Sequence, residues 1–593
     1  MTPPHKGKGK RRTNETSMTD KRARNEIIKE NSHQLRGTLA EGLEDVITGN
    51  IAEDDHQLIK FHGSYIQDDR DVRGERAKKK LEKAFSFMLR LRIPGGLTTP
   101  KQWLALDRIA TDYANGTLRL TTRETFQYHG VIKSNLRKTM QAINAAALDT
   151  LAACGDVNRN VMTAANPYLS KAHQQAYDLG KAISEHLLPK TGAYHEIWLD
   201  GEKVEDKSRA AEVNEEPLYG VHYLPRKFKT VVAVPPDNDV DIFAHCLGFI
   251  AIVEKGEVTG WNVTVGGGMG MTHGDTNTFP RTADQLGFCT SAQAVDVAEK
   301  VLLVQRDWGN RESRARARVK YTVEDRGIDA YRAEVEKRLG YKLGKPKPFT
   351  FTSTGDPVGW RESIDARKGA DKAWHLTLFV ENGRIKDTPG HALRTALREI
   401  AEAGVCDFVC TSNQNVILAN VQAKFKPKVE AILKAHGIGI AVTSGLRANS
   451  MACVALPTCG LALAESERFL PELITALEDG LDKAGLRSDD IVIRMTGCPN
   501  GCARPFLAEI GLVGRNPGLY NLYLGAAFDG SRLSKLYAQD VGKARIVELL
   551  EPIFIKYAKE RKAGEHFGDY AIRAGFVKAT KAGNQFHADI KLA

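Results

Sequence analysis

An internal repeat constrains this chain more than any other feature. Residues 121–131 (TTRETFQYHGV) align without a gap on 411–421 (TSNQNVILANV), and 88–96 (MLRLRIPGG) align on 375–383 (HLTLFVENG). Each unit reads as strand, turn, helix, strand and second helix, with short strands rich in β-formers and helices apolar at three- and four-residue spacing. Leu393, Leu397, Ile400 and Ala401 form one apolar stripe. Leu470, Leu473, Leu477 and Leu481 form another, in a helix that Gly485 can end. Both stripes read as core. A second pairing follows in the same order. LPRKFK (224–229) precedes VVAVP, GFIAIVEKG and a glycine loop, and RMTGC (494–498) precedes AEIGLVG and YNLYLGAA. The expected fold class is α/β (α+β): a duplicated module with pseudo-twofold symmetry and a ligand between its halves.

One half carries thiols. Cys453, Cys459, Cys498 and Cys502 read C-x5-C, 38 intervening residues, then C-x3-C. Four thiolates bind a structural zinc or an iron–sulfur cluster. Zinc knuckles usually pair ligands as C-x2-4-C, and the first spacing here is wider. The loop TGCPNGC (496–502) is punctuated by Pro499 and Gly501, and such a loop can wrap a bulky inorganic cube. These spacings favour a cluster over zinc. The other five cysteines are scattered, and Cys406 and Cys410 read as small core residues.

At 593 residues the chain is too long for one core. It has no apolar run long enough to span a membrane, and no apolar stretch follows the N-terminal charges as in a secretory signal. Nine cysteines in this length suit a reducing cytoplasm, where thiols serve metals. Of the net charge of +11, the first 24 residues hold eight Lys and Arg against two acids. That tail has no apolar periodicity and is expected to be disordered; nucleic acid is its less expected partner.

The other half carries cations. Arg90 and Arg92 lie two apart inside an apolar strand, hence on one face. A charge on an inner face must be paired or meet a ligand. Arg159 sits in NRNV. Lys227 and Lys229 flank Phe228, so both ammonium groups project to one side. Together these groups can pocket a small oxyanion, favour added negative charge and supply protons. The loop VGGGMG (265–270), with Gly267 and Gly268, follows a strand without the helix and acidic partner of a dinucleotide site. It suits close approach to a large flat cofactor. QRDWGNR (305–311) and then Arg314, Arg316, Arg318 and Lys320 read as a solvated face or as a clamp for several carboxylates.

These motifs (C-x5-C-x38-C-x3-C with TGCPNGC, LPRKFK, NRNV, QRDWGNR and SMACVALPTC) closely resemble the siroheme-dependent sulfite and nitrite reductase family, in its assimilatory NADPH-dependent branch, from about Leu35 to about Phe576. The resemblance implies a [4Fe-4S] cluster on the four cysteines and siroheme between domains, with Cys502 bridging cluster and siroheme iron. It implies Arg90, Arg159, Lys227 and Lys229 as sulfite-binding and catalytic groups. Arg123, Gln127, His129, Gly267, Gly268, Arg306, Arg311 and Asn500 join Cys502 as expected cofactor contacts. It further implies a basic tail (1–34), an N-terminal extension (35–80), a first domain of paired ferredoxin-like halves (81–151 and 350–427), a cation-bearing domain (152–349) and a cluster-bearing domain (428–593). The implied reaction is six-electron reduction of sulfite to sulfide for cysteine biosynthesis, in the cytoplasm. Its electrons come from an NADPH-oxidising flavoprotein or, alternatively, a ferredoxin. Siroheme nitrite reductase is the nearest rival; a neutral residue is expected there at the position of Lys229. A zinc-bearing binding protein is a more distant reading. Gly460 and Ala503 depart from the Pro and Gly expected at those positions.

Overall fold

The computed structural model describes residues 21–191, 193–194, 198–199, 202–203, 216–366 and 372–593. The first 20 residues of the basic tail lie outside the described residues. Its remainder is not disordered: helix α1 (Arg24–Glu30) buries Glu26 and Lys29.

The first repeat unit follows. It comprises β1 (Ser64–Asp68), α2 (Arg73–Lys78), β2 (Phe85–Arg90), β3 (Leu97–Thr98), α3 (Pro100–Tyr113), β4 (Leu118–Leu120), β5 (Phe126–Val131) and α4 (Lys133–Ala145). Thr99 and Gln102 cap α3 reciprocally, and Pro100 opens its first turn. The cation-bearing region supplies β6 (Met162–Thr163), β7 (Thr230–Ala233), β8 (Leu247–Glu254), β9 (Glu257–Val265) and β10 (Asp284–Cys289). The second repeat unit holds β11 (Gly359–Glu362), β12 (Trp374–Leu378), β13 (Arg384–Ile385), α5 (Leu393–Ala403), β14 (Asp407–Cys410), β15 (Val416–Val421) and α6 (Lys426–Ala435). The thiol-bearing region ends the chain with β16 (Ser450–Ala452), α7 (Leu470–Ala484), β17 (Ile493–Thr496), β18 (Ile510–Asn516), β19 (Leu519–Leu524) and β20 (Lys535–Val541).

Among the described residues, four five-stranded sheets result, in two matching pairs. The repeat units form β1-β2-β5-β4-β13 and β11-β12-β15-β14-β3. The units are interlocked: β13 pairs with β4 of the first unit, and β3 pairs with β14 of the second. Each gives its neighbour a two-residue edge strand. The segment 35–80 is not a separate extension, because β1 lies antiparallel on β2 from Ser64↔Leu89 to Asp68↔Phe85. The aligned segment is the turn and second strand of a hairpin in each copy, β4–β5 and β14–β15. Its turns place Glu124 at φ 51° and Gln414 at φ 69°, the same position in both copies.

The other sheets run β10-β9-β8-β7-β6 and β16-β17-β18-β19-β20, three strands parallel and the rest antiparallel in each. The two repeat turns clip onto their short edge strands. Glu124 Oε2 accepts the Thr163 N–H at 2.9 Å, and Gln414 Oε1 accepts the Ala452 N–H at 3.2 Å. The topology corrects one alignment. β17 is the counterpart of β7, so LPRKFK precedes its strand whereas TGCPNGC follows its own. The apolar stripes of α5 and α7 are buried, and Gly485 ends α7 in the left-handed region at φ 71°.

Candidate active site

The thiol side hangs on two strand ends. Cys453 follows β16, Cys459 lies in the next loop, and Cys498 and Cys502 follow β17. Cys498 is buried, Cys453 and Cys459 are half-buried, and Cys502 is exposed. The Gly497 N–H donates to Cys453 Sγ at 3.3 Å and Asn500 Nδ2 to Cys498 Sγ at 3.4 Å. At Cys459 the Ala462 N–H closes the loop on the Cys459 carbonyl at 3.1 Å. Burial, then the charge of Cys502, pushes the Cys459 thiol up to about 11 and raises Cys453 and Cys498 as well. Cys453, Cys459 and Cys498 therefore stand within the field of Cys502, and these three resist ionisation without a cationic ligand. Among the described residues, no three His, Cys, Asp or Glu side chains close on a single metal ion. Zinc, with Zn–S bonds of about 2.3 Å, needs a tighter set than this. The wide ring of sulfurs with N–H donors aimed at it fits a bulky cluster instead.

The glycine loop packs against this cysteine loop backbone to backbone. The Met271 N–H donates to the Pro499 carbonyl at 3.0 Å. A Cβ on Gly270 would lie 2.9 Å from the Asn500 carbonyl, and one on Gly267 would collide with the carbonyls of Phe243 and His245. Gly268 faces Arg318, whose guanidinium a Cβ there would meet at 2.8 Å.

The cation side closes from the opposite direction. Phe228 is buried between the lysines and its N–H reaches the Val157 carbonyl at 3.0 Å, while the Arg159 N–H reaches the Phe228 carbonyl at 2.9 Å. The loop carrying Lys227 and Lys229 is thus zipped to the loop carrying Arg159. Arg159 is itself buried, donating from Nε to the Gly155 carbonyl at 2.6 Å. Arg90, at the end of β2, donates from Nη1 to Cys154 Sγ at 3.1 Å; with the Gln127 amide turned over, its oxygen accepts from Arg90 Nη2 and Nε at 2.5 and 3.1 Å. Burial, then Arg226 and Arg318, lowers Lys227 to about 7; burial, then Arg123 and Lys227, lowers Lys229 well below the usual lysine range. The charge of Cys502 opposes both shifts and also acts on Arg90. Arg90, Lys227 and Lys229 therefore all lie within the field of the exposed Cys502 sulfur.

Arg90, Arg123, Arg159, Arg226, Lys227, Lys229, Arg318 and Lys320 form no ion pair among the described residues. Arg123, Arg159, Arg318 and Lys320 are buried and the other four half-buried, and so many unpaired cations are costly unless an anion joins them. The Arg123 and Arg318 Nε atoms are buried without a partner, as is His129 Nε2. A polycarboxylate cofactor and an oxyanion fit this unbalanced charge.

Not every expected contact points here. Arg306 pairs with Asp307 at 2.7 Å and donates to the Leu218 carbonyl at 2.8 Å. Arg311 binds Glu26 of α1 and the Tyr223 carbonyl. Both are committed to protein groups, so neither is the carboxylate clamp expected of it. Arg318 and Lys320, further along the chain, are the ones at the glycine loop: Gly268 faces the Arg318 guanidinium, and Lys320 Nζ lies 2.6 Å from the Gly270 carbonyl. Gln127 is spent on Arg90. His129 sits beside Arg119 and Arg384; burial first, then those cations, holds it neutral. Arg92 is paired with Asp149. Sequence reasoning missed Asp241, which binds both Arg494 (2.6 Å) and Arg504. It also missed Cys154 and Cys246, which accept from Arg90 and Arg318. None of these carries a local spacing signal.

Two family descriptions match. The nitrite and sulphite reductase 4Fe-4S domain covers residues 180–343, and the nitrite/sulfite reductase ferredoxin-like half domain covers 79–146 and 367–436. The chain belongs to this nitrite and sulfite reductase family. The half-domain match falls twice, on the two interlocked repeat units. The chain is 63% identical over 567 residues (95% of its length, 91% of the relative's) to the sulfite reductase [NADPH] hemoprotein beta-component of Methylorubrum extorquens strain PA1. It is 58% identical to the protein of that name from Shouchella clausii strain KSM-K16, across 95% of this chain and 97% of that one. A solved structure of the Mycobacterium tuberculosis NirA protein superposes with a TM-score of 0.71 at 24% identity, covering 91% of this chain and 96% of that one, which establishes the shared fold.

Proposed function

We propose that this chain is the hemoprotein component of an assimilatory sulfite reductase, reducing sulfite to sulfide. The observation that carries the reading is that Arg90, Lys227 and Lys229, cations with no carboxylate of their own, lie within the field of the exposed Cys502 sulfur. The identity to relatives named sulfite reductase supports it. Cys453, Cys459, Cys498 and Cys502 would hold a [4Fe-4S] cluster, and Cys502 would be shared with siroheme iron. Arg123, Arg318 and Lys320, with the Gly267–Gly268 backbone, would face the siroheme carboxylates. When bound, this pair supplies single electrons and an iron that takes the sulfur of sulfite.

Six electrons and seven protons convert sulfite to hydrosulfide and three waters. Arg90 and Arg159 would orient the anion's oxygens through planar guanidinium donors. Lys227, whose ammonium gives up its proton near neutrality in this setting, suits proton delivery to a departing oxygen. Lys229, deeper among cations, would raise the affinity for a dianion. The β-component name of the relatives implies an α-partner, here a flavoprotein oxidising NADPH. No helix among the described residues is long and apolar enough to cross a membrane. We place the enzyme in the cytoplasm, where exposed thiol ligands stay reduced.

The test is the protein purified with siroheme and iron available, assayed against both anions. It should be coloured, carry about five irons per chain on the proposed cofactor pair, and show the larger kcat/KM for sulfite. Cys502→Ser should abolish activity and alter the visible spectrum. Lys229→Asn should lower sulfite reduction more than nitrite reduction. A wild-type kcat/KM for nitrite far above that for sulfite would overturn the assignment.

A further inference from the structure

The loop after Cys459 covers the proposed cluster on the side away from the substrate lysines only lightly, with Leu461 and Gly460 exposed. Leu461, two residues after Cys459, leaves 67% of its surface in solvent. Gly460 beside it is exposed, with nothing within 4 Å of a Cβ built on it. Cys498, by contrast, is buried, and Cys502 faces the substrate cleft. Electron transfer weakens steeply with distance, so a donor gains most by approaching Cys459.

A basic segment is welded to that loop. The Arg70 N–H reaches the Pro457 carbonyl at 3.3 Å, and its Nη1 reaches the Ala462 carbonyl at 2.6 Å. Asp71 pairs with Arg468 at 2.7 Å. The chain then enters α2 and runs through RAKKKLEK (76–83), five cations against the single carboxylate of Glu82. Lys78, Lys80 and Lys83 are exposed and form no ion pair among the described residues. Glu82 itself turns back to Thr48 and to the Gly49 N–H at 3.0 Å. That contact ties the segment carrying Leu81, 52% exposed, to the one carrying Val46 and Ile47, 95% and 94% exposed. Aliphatic side chains this exposed, on segments tied to a run of uncompensated lysines, are unusual on a free surface and mark an interaction site.

We propose that the flavoprotein electron donor docks on this face, with an acidic surface around its own redox group set against Leu461 and the lysines of 78–83. The proposal rests on the reductase reading above. Unpaired cations would steer an acidic partner and orient it, while the small apolar centre excludes water without holding the complex long. Weak redox encounters have that character.

The test separates the two routes by which electrons can enter the holoenzyme. Leu461→Asp and the double variant Lys78→Glu/Lys80→Glu are compared with wild type. Sulfite reduction is driven either by NADPH through the purified flavoprotein component or by reduced methyl viologen, a small reductant that needs no docking face. In both variants kcat/KM for the flavoprotein should fall about tenfold or more, and its decline with added salt should flatten in the double variant. Viologen-driven turnover should stay at the wild-type level. Unchanged flavoprotein-driven rates in both variants would overturn the proposal. So would a viologen-driven rate that falls in step, because the face would then be holding the cluster rather than a partner. Wild-type holoenzyme unable to reduce sulfite even with viologen would sink the reductase reading itself.

Discussion

Lys227 and Lys229 show what a two-residue spacing can decide. In an extended segment alternate side chains share a side, so Phe228 enters the core and both ammonium groups face the cleft. That much is legible in LPRKFK. Their chemistry is not, because it comes from Arg226, Arg318, Arg123 and Cys502, which only the fold gathers. With Lys227 at about 7 in the free protein, its cationic form is present below that pH and lost above it. Since kcat/KM reports groups of the free enzyme, kcat/KM for sulfite should decline as pH rises through about 7. Lys227→Arg keeps its charge at every working pH, so its kcat/KM should hold into alkali while kcat drops for want of a transferable proton. Superimposable pH profiles of the two enzymes would remove Lys227 from this role.

Among elements, α1 is the one furthest from its sequence reading. RNEIIKE follows a basic run and has only two apolar residues, so no amphipathic stripe announces a helix. Ions hold it instead. Lys29 Nζ lies 2.6 Å from Glu26 and 2.8 Å from the Leu224 carbonyl, and Glu26 also binds Arg311. Leu224 opens the loop that carries both substrate lysines, so α1 braces the cleft from behind. Breaking one partner of a buried pair costs about 3–5 kcal/mol. Glu26→Gln should therefore raise the KM for sulfite several-fold with little change in cofactor absorption, and should speed amide exchange across 224–229. Exchange unchanged in that segment would show that α1 braces nothing. The repeat itself was legible, since 121–131 and 411–421 form the equivalent turn and second strand of two hairpins, with left-handed Glu124 and Gln414. Hidden from it were the exchanged strands β3 and β13, because two residues carry no periodicity. The offset between LPRKFK and TGCPNGC was hidden too, because composition does not say on which side of a strand a motif lies.

At the scale of the molecule, the pseudo-twofold is held by charge at points where the halves meet. Arg504 binds Asp241 across the axis and reaches the carbonyls of Thr122 (3.0 Å) and Ser412 (3.1 Å), equivalent positions of the two repeat turns. A second such point is Glu467. The strand exchange sets Arg384 of β13 directly opposite Arg119 of β4, and like charges so placed repel. Glu467, from the thiol-bearing region, bridges them at 2.7 and 2.8 Å. Burial would raise its carboxyl, but Arg119 and then Arg384 outweigh that and hold it at about 2, against 4.5 ordinarily. A carboxylate depressed in this way stabilises the fold fully above its unfolded value and loses that contribution as pH falls through the folded one. Its shift corresponds to about 3 kcal/mol. Glu467→Gln should therefore unfold at lower urea than wild type at pH 7, by on the order of 3 kcal/mol. The gap should narrow as pH falls below about 4.5 towards about 2, because wild-type Glu467 then becomes neutral too. A deficit constant across that range would mean the glutamine merely packs badly, and that the two arginines do not need a charge between them.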